Sequence, residues 1–305
     1  MNILLLLKLL RIDHWIKNLF VFLPVFFGGQ LLNVSVLLPC IVVFFAFSLA
    51  ASSIYCFNDI YDFEEDKKHP EKCKRPVAAG TISRKTAYAL AAVCFLLSIL
   101  TLIFLSQNVM PLIALVVLYY VMNIAYCIKL KHCVIIDVII ISAGFVLRVL
   151  SGGLASGISS SDWIIIMTFL LALFLAFAKR RDDVVLYENT GIYHRKNTNR
   201  YNLEFMNQVI AIIAAITVVA YIMYTISPDV IERFGSQYVY FTAVFVLMGI
   251  IRYLQVTTVD LKSGNPAKIL LRDRFIQCCI AGWIVSFIVI IYMENAINIF
   301  FKAAP

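Results

Sequence analysis

The sequence predicts an all-α, polytopic membrane protein, and three observations indicate this fold class. Of the 305 residues, 62% are hydrophobic and only 14% are charged. Apolar runs of about 20 residues, the length that crosses a bilayer as an α-helix, recur along the chain. The Lys and Arg residues, except Arg148, Arg233 and Lys302, fall in alternate connections between these runs. An ordinary water-soluble protein is therefore excluded.

The apolar runs predict nine transmembrane helices. They lie at residues 17–34, 37–57, 86–105, 109–127, 133–151, 162–179, 206–226, 238–255 and 275–293. We assign residues 1–305 to a single transmembrane helical domain, because helices satisfy all their backbone hydrogen bonds in lipid. The N-terminal residues enter the first run without a small-residue cleavage site, so no cleavable signal peptide is expected.

The connections rich in Lys and Arg are predicted to face the cytoplasm. This rule places the N-terminus and the polar connections near residues 58–85, 180–205 and 252–274 on the inner side of the plasma (inner) membrane. The net charge of +8 is then explained by basic connections that face an anionic leaflet. We therefore expect a lipid bilayer as a partner and no nucleic acid.

The first polar connection carries a cluster of acidic residues. Asp59, Asp62 and Asp66 are spaced i, i+3 and i+7, so on a continuous helix they share one face. Carboxylates held this close repel by about 1–4 kcal/mol per pair, which favours a cation among them. Oxygen ligands suit Mg²⁺, which commonly takes one or two carboxylates and completes its shell with water and phosphates. The alternative is a solvated acidic loop.

Basic residues at the ends of predicted spans are candidate phosphate ligands. Lys17 and Asn18 begin the first apolar run, where Lys17 either forms an interfacial anchor with Arg11 and Trp15 or binds a phosphate. Lys179 lies on the apolar side of a basic cluster, where a lysine must reach water or find a partner. The alternative for that cluster is the usual positive flank of a membrane span.

Two charged residues fall within the fifth predicted span. Asp137 and Arg148 lie on one helix face, because the eleven residues between them make about three turns. Intramembrane charges are candidates for function. Asp137 is near Lys129 and Lys131 and is expected to join the site, whereas Arg148 is expected to cap a helix C-terminus.

These segments together resemble the UbiA-type intramembrane prenyltransferases over about nine tenths of the chain. The matching motifs are Asn58-Asp59-x-x-Asp62-x-x-x-Asp66 with Lys74-Arg75-Pro76, Trp15-Ile16-Lys17-Asn18, Tyr126-Cys127-x-x-Leu130-Lys131-His132, Leu147-Arg148-x-x-x-Gly152-Gly153, Lys179-Arg180 and Leu271-Arg272-Asp273-Arg274. Members that use an allylic diphosphate usually carry a second Asp-x-x-x-Asp motif after the sixth helix. This chain has Lys179-Arg180-Arg181-Asp182-Asp183 there, which suits a different polyphosphate donor.

The resemblance implies a UbiA-type bundle with a cytoplasmic-side active site. It implies an Mg²⁺-dependent pentosyltransferase that moves 5-phosphoribosyl from phosphoribosyl diphosphate to a polyprenyl phosphate, for envelope polysaccharide precursor synthesis. The implied catalytic residues are Asp59, Asp62 and Lys179, and the implied metal ligands are Asp59, Asp62 and Asp66. The implied substrate-binding residues are Lys17, Asn58, Lys74, Arg75, Lys131, Asp137, Arg180, Asp183 and Tyr201.

Two alternative functions stay open at this point. One is a prenyltransferase that attaches an isoprenoid to an aromatic or quinone precursor. The other is a transporter or lipid-binding membrane protein without chemistry, which would place its charges along a path through the bilayer. The isoprenoid chain length and the formation of a homo-oligomer are also left open.

Overall fold

The computed structural model is all-helical in the residues that it describes, which are 3–68, 72–105, 108–190, 200–260, 269–270 and 272–290. The α-helices are α1 (Ile3–Leu10), α2 (Leu23–Phe27), α3 (Val34–Tyr61), α4 (Phe63–Lys68), α5 (Arg84–Ile103), α6 (Val109–Ile128), α7 (Ile136–Ser156), α8 (Asp162–Thr190), α9 (Leu203–Thr225), α10 (Pro228–Phe234), α11 (Ala243–Thr258) and α12 (Arg274–Ile288). A 3-10 segment, Ile12–Phe22, lies between α1 and α2. The all-α prediction is confirmed.

Among the described residues, seven helices are long and apolar enough to cross a membrane. They are α3, α5, α6, α7, α8, α9 and the stretch Tyr238–Thr258, which contains α11. Helix α12 is also apolar but has only 15 residues. The protein is therefore a multi-pass membrane protein, while the predicted number of nine spans is not confirmed.

The first predicted span, residues 17–34, does not form one long helix. The 3-10 segment extends to Phe22, and α2 has only five residues. Pro24 lies at the start of α2, where its missing N–H is tolerated. Gly29 follows with φ of 65°, a left-handed conformation that glycine adopts readily and that ends the helix. Hydrophobicity predicts the apolar run here but not its break.

The chain divides into two compact units, Met1–Ile165 and Ile166–Pro305, with the boundary inside α8. In the first unit, α3 packs against α1, the 3-10 segment, α5, α6 and α7. Small side chains on α3 allow close helix packing: Ser53 Oγ donates to the Ala91 carbonyl at 2.6 Å, and Ser98 Oγ of α5 donates to the Ala46 carbonyl at 2.7 Å. That all residues form one domain stays a prediction.

Polar side chains connect the helices of the second unit. The Tyr221 hydroxyl accepts a hydrogen bond from Trp283 Nε1 at 2.6 Å and lies 2.7 Å from Thr242 Oγ1. The buried Arg181 of α8 donates to Asn207 Oδ1 of α9 and to the Thr257 carbonyl of α11, both at 2.6 Å. These contacts satisfy polar groups that would otherwise be buried without partners.

Asp273 fixes the start of α12. Its Oδ1 accepts a hydrogen bond from the Ile276 backbone N–H at 3.0 Å, and its Oδ2 accepts two from Arg252 at 2.8 and 3.0 Å. The Arg252 contact lowers the pKa of Asp273 below its usual value. A lowered pKa means that this stabilisation is complete near neutral pH and is lost only as the pH falls below the usual carboxyl range.

Replacing Asp273 by alanine is expected to destabilise the protein by about 1–2 kcal/mol, the sum of a lost helix cap and a partly exposed ion pair. The melting temperature of the purified protein in detergent would measure this change. Asp273→Asn, which keeps an oxygen acceptor for the Ile276 N–H, should lose less. Equal melting temperatures for Asp273→Ala and the wild type would show that this cap contributes nothing.

Candidate active site

The acidic motif lies where α3 ends. Asp59 is buried in the last turn of α3, and the Asp62 N–H donates to the Asn58 carbonyl at 2.9 Å. Asp62 itself is outside the helix, and Asp66 lies in the separate short helix α4. The expectation that the three aspartates share the face of one continuous helix is therefore wrong, because the helix is interrupted at Asp62.

Arg75 brings two of the three aspartates together. Its Nη1 lies 2.6 Å from Asp66 Oδ2 and 3.3 Å from Asp59 Oδ1. Both carboxylates are buried, whereas the Arg75 side chain is partly exposed. Burial raises the pKa of Asp66, and the Arg75 guanidinium opposes this by lowering it. Additional positive charge beside Asp66 would therefore be stabilising.

Arg11 is a residue of this site that sequence reasoning assigned only to a membrane anchor. Its Nη2 donates to Asp59 Oδ1 at 2.5 Å, and its guanidinium lies 4.7 Å from the centre of the Tyr55 ring. The Tyr55 hydroxyl in turn lies 3.2 Å from His14 Nδ1. Arg11 has φ of 49°, which costs a non-glycine residue about 1 kcal/mol. The sequence feature that could have identified Arg11 as a site residue is its position just before the first apolar run.

Lys131 supplies the counter-charge for Asp62. The two side chains form an ion pair, and the Lys131 ammonium lies 5.3 Å from the centre of the Tyr61 ring. Lys131 is buried and belongs to the 3-10 turn Leu130–His132, which follows α6. The structure thus brings this predicted substrate-binding residue to the acidic motif.

Arginine and lysine therefore balance the charge of the acidic motif. Carboxylate repulsion by itself therefore does not require a metal ion here, because Arg11, Arg75 and Lys131 already offset that repulsion. In the described part of the chain, no group of three or more His, Cys, Asp or Glu side chains is arranged to hold a metal ion. The assignment of the three aspartates as metal ligands stays a prediction.

The chemistry of the carboxylates nevertheless fits Mg²⁺ through a pair of ligands. Asp59 and Asp66 each direct one oxygen to arginine, and their second oxygens accept no hydrogen bond from the described residues. Mg²⁺ commonly uses one or two carboxylates and takes its other ligands from water and substrate phosphates. Asp59 and Asp66 match this number of carboxylate ligands.

The other predicted site residues of the first unit differ in exposure. Asn58 is half-buried, and Asp137 is fully buried in the first turn of α7. Lys74 is exposed, and its backbone carbonyl accepts a hydrogen bond from Lys8 Nζ at 3.2 Å. Of the predicted pair Lys74-Arg75, only Arg75 contacts the aspartates.

Of the predicted site residues of the second unit, Lys179, Arg180 and Asp183 lie within α8, and Tyr201 lies just before α9. Lys179 is exposed, whereas the next residue, Arg180, is buried. Arg180 Nη1 lies 3.2 Å from Asp183 Oδ2, one helical turn further on. The buried Tyr201 stacks on Phe205, with ring centres 6.0 Å apart. The substrate-binding and catalytic roles of Lys179, Arg180, Asp183 and Tyr201 stay predictions.

Arg148 is buried in the interior of α7. The expectation that it caps a helix C-terminus is therefore wrong. Arg148 donates to Asn18 Oδ1 at 2.6 Å, to the Gly144 carbonyl at 2.7 Å and to the Tyr119 hydroxyl at 2.8 Å. These bonds connect α7 with the 3-10 segment and with α6. Arg148 is thus placed by long-range packing, which its own sequence neighbours do not reveal.

The helical fold and the acidic motif define a class of intramembrane transferases. The family model described as the UbiA prenyltransferase family matches residues 19–278. The chain therefore belongs to the UbiA prenyltransferase family and is a transferase of that family.

The chain is similar to curated members of this family. It is 33% identical over 302 residues to the decaprenyl-phosphate phosphoribosyltransferase of Mycolicibacterium smegmatis. The aligned region covers 95% of this chain and 93% of that protein. It is 30% identical over 290 residues to the protein of the same name from Corynebacterium glutamicum, covering 94% and 86% respectively.

Solved structures of UbiA homologs have a fold similar to that of this chain. A UbiA homolog from Archaeoglobus fulgidus bound to DMAPP and Mg2+ has a TM-score of 0.70 at 19% identity, covering 94% of this chain and 98% of that one. A UbiA homolog from Aeropyrum pernix K1 without ligand has a TM-score of 0.63 at 14% identity, covering 95% and 99%.

Proposed function

We propose that this protein transfers the 5-phosphoribosyl group of phosphoribosyl diphosphate to a polyprenyl phosphate and releases diphosphate. The observation that carries the proposal is the cluster in which Arg11 and Arg75 contact the buried carboxylates of Asp59 and Asp66. Guanidinium groups bind phosphate oxygens through paired N–H donors. The names of the curated relatives support a phosphoribosyl group as the transferred group and a polyprenyl phosphate as the acceptor. Phosphoribosyl diphosphate as the donor is what the family resemblance implies.

In the proposed reaction, the bond between the ribose C1 and the diphosphate oxygen breaks, and an oxygen of the lipid phosphate forms a new bond to C1. The leaving diphosphate gains negative charge as the bond breaks. Arg11 and Arg75 can donate N–H groups to its oxygens, which stabilises that charge in a partly water-free site. A phosphate monoester is already anionic at neutral pH, so the acceptor needs no general base.

Asp59 and Asp66 would hold Mg²⁺ through the oxygens that arginine leaves open. The ion would supply Lewis-acid neutralisation of the diphosphate when bound. Asp62 stays a predicted ligand and catalytic residue, with Lys131 as its partner. In this arrangement Asp59 has two tasks, since it also holds Arg11 and Arg75 close to the place where the diphosphate binds.

We place the protein in the plasma (inner) membrane, with the N-terminus and the acidic motif on the cytoplasmic side. The Lys and Arg distribution supports this orientation. Soluble phosphoribosyl diphosphate would then reach the site from the cytoplasm, while the polyprenyl phosphate enters from the bilayer. The family resemblance supports use of the product in envelope polysaccharide synthesis.

A second candidate function is transfer of an isoprenoid to an aromatic or quinone precursor. The observation in its favour is the similarity of fold to a protein solved with DMAPP, an isoprenoid diphosphate. Against it stands the sequence after the sixth predicted span, which has Lys179, Arg180 and Arg181 where prenyl-diphosphate enzymes usually carry a second aspartate pair.

A transfer assay distinguishes the two candidates. Purified protein is incubated with Mg²⁺, a polyprenyl phosphate and phosphoribosyl diphosphate labelled in the ribose, and the lipids are then extracted. We expect the label in the lipid phase, with none when the polyprenyl phosphate is omitted. A parallel reaction with labelled prenyl diphosphate and an aromatic acceptor should give no product. Product in the parallel reaction alone would reject the proposed function in favour of the second candidate.

A further inference from the structure

The turn that carries Arg11 is held by hydrogen bonds on both sides. Arg11 lies between α1 and the 3-10 segment with φ of 49° and ψ of 53°, in the left-handed region. The Leu10 carbonyl, in the peptide unit before Arg11, accepts a hydrogen bond from Ser52 Oγ at 2.8 Å. The Arg11 carbonyl, in the peptide unit after it, accepts one from the His14 backbone N–H at 2.8 Å. Because peptide units are planar and both are held, the direction in which the Arg11 side chain leaves the backbone is fixed.

This conformation of Arg11 needs such support. A residue with a Cβ atom is strained in the left-handed region and stays there only when the surrounding structure holds it. The bond from His14 lies within the turn itself, whereas the bond from Ser52 comes from α3, 42 residues after Leu10. Ser52 therefore connects the strained turn to the helix that carries Asp59.

The Ser52 hydroxyl is oriented for this contact. Ser52 is fully buried, and its Oγ accepts a hydrogen bond from Trp15 Nε1 at 3.1 Å. A serine hydroxyl has a single hydrogen to donate. With the indole N–H directed at the oxygen, that hydrogen is given to the Leu10 carbonyl. The hydroxyl thus joins α3 to the backbone before Arg11 and to a side chain of the 3-10 segment.

Three residues on one face of α3 contact this turn in register. Ser52, Tyr55 and Asp59 are spaced i, i+3 and i+7 within the helix, so they lie on the same side. The Tyr55 ring centre lies 4.7 Å from the Arg11 guanidinium, and Asp59 Oδ1 accepts from Arg11 Nη2 at 2.5 Å. A turn displaced at Ser52 would therefore move the guanidinium away from both partners.

We propose that Ser52 is a positioning residue for Arg11: its hydroxyl holds the turn in which the guanidinium meets Asp59. Ser52 acts through Arg11, since its own hydroxyl is used by Leu10 and Trp15. The effect on catalysis rests on the proposed function, in which Arg11 donates to the leaving diphosphate, whereas the support of the turn does not. The half-buried Lys17 lies in the 3-10 segment after this turn, and its binding of a substrate phosphate stays a separate prediction.

A double-mutant cycle in the purified full-length protein tests this role. The variants are Ser52→Ala, which removes the hydroxyl, Arg11→Gln, which removes the guanidinium, and the protein with both changes. Each is measured for kcat/KM of phosphoribosyl transfer, with the donor concentration varied, and for its melting temperature. The matched control is Ser53→Ala, because Ser53 is the equally buried neighbour whose Oγ donates instead to the Ala91 carbonyl of α5.

We expect Ser52→Ala to lower kcat/KM by about 10- to 100-fold, the usual effect of displacing a group of a catalytic site. In the Arg11→Gln protein the same change should alter kcat/KM by less than about 3-fold, because no guanidinium is left to misplace. Ser52→Thr, which keeps the hydroxyl, should recover part of the lost rate. Ser53→Ala should change kcat/KM by the same factor with and without Arg11→Gln.

The melting temperature provides a second cycle that does not depend on activity. Ser52→Ala should lower it more in the wild type, where the contact between Arg11 and Asp59 is lost as well, than in the Arg11→Gln protein. If Ser52→Ala does not fold, Ser52→Cys, which has a weaker donor of similar shape, takes its place in both cycles.

The positioning role is overturned if the two substitutions multiply in kcat/KM, or if Ser52→Ala transfers at the wild-type rate. Failure of the proposed function gives a different result, namely no transfer by the wild type. The melting temperatures then decide: a smaller loss in the Arg11→Gln protein supports the role of Ser52, and equal losses in the two proteins overturn it.

Discussion

Asp59→Asn should reduce the rate of phosphoribosyl transfer by about 10²–10³-fold, the usual loss when one electrostatic contact in a catalytic site is removed. Asp59 is the carboxylate that both Arg11 and Arg75 contact. Asparagine has nearly the same shape and keeps an oxygen for Arg11. It removes the charge that would bind Mg²⁺ and orient the two arginines. Initial rates of label transfer to lipid, at saturating donor, measure the effect.

The matched control is Glu64→Gln in α4, a few residues along the chain. Among the described residues, Glu64 pairs with Arg84 alone, and both side chains are exposed, so the ion pair contributes little to stability. Its variant should transfer at the wild-type rate. Both variants should be folded, since Arg75 keeps its contact with Asp66 when Asp59 is neutral. Full activity of a folded Asp59→Asn protein would remove Asp59 from the catalytic site.

Gly152→Ala should be the most destabilising small substitution in the first unit. The new Cβ would lie 1.9 Å from the carbonyl oxygen and 2.8 Å from the carbonyl carbon of Val21. Because these are backbone atoms, the clash is relieved only if α7 and the 3-10 segment move apart, which also stretches the contact between Asn18 and Arg148. We expect a loss of about 3 kcal/mol, the upper end for overpacking, seen as a lower melting temperature and yield.

Gly249→Ala in α11 is the control for this substitution. Of the described residues, a Cβ there would meet Cys279 Cβ alone, at 3.7 Å, an ordinary contact. Alanine is favoured over glycine inside a helix by about 0.5–1 kcal/mol, so this variant should be as stable as the wild type or more stable. If Gly152→Ala were equally stable, the close approach of α7 to Val21 would be incorrect.

Much of the helical fold is predictable from local sequence. The apolar run at residues 86–105 predicts α5, and the Ser83 side chain, which accepts from the Thr86 N–H at 3.1 Å, explains why the helix begins at Arg84. The interruption near Gly29 is not predicted, because hydrophobicity reports that a run is apolar but not whether its backbone is continuous. The interruption at Asp62 was missed for a similar reason, since carboxylate spacing assumes an unbroken helix.

The composition of the site was less predictable than its location. The acidic motif is visible as a pattern, but its partners come from distant positions: Arg11 is 48 residues before Asp59, and Lys131 is 69 residues after Asp62. Arg148 and Asn18 are 130 residues apart. Such pairs form when helices pack, and the local periodicity of the sequence does not predict them. A lysine or arginine at the end of an apolar run is therefore compatible both with the membrane interface and with a ligand site.

The proposed function requires that the cluster of Arg11, Asp59, Arg75 and Asp66 binds the diphosphate of the phosphoribosyl donor. Equilibrium binding of labelled phosphoribosyl diphosphate to the purified wild type and to Asp59→Asn, each with Mg²⁺ and with a chelator, tests it most directly. We predict binding to the wild type that strengthens with Mg²⁺, and weak binding to Asp59→Asn under both conditions. Equal, Mg²⁺-dependent affinity in the two proteins would contradict the claim.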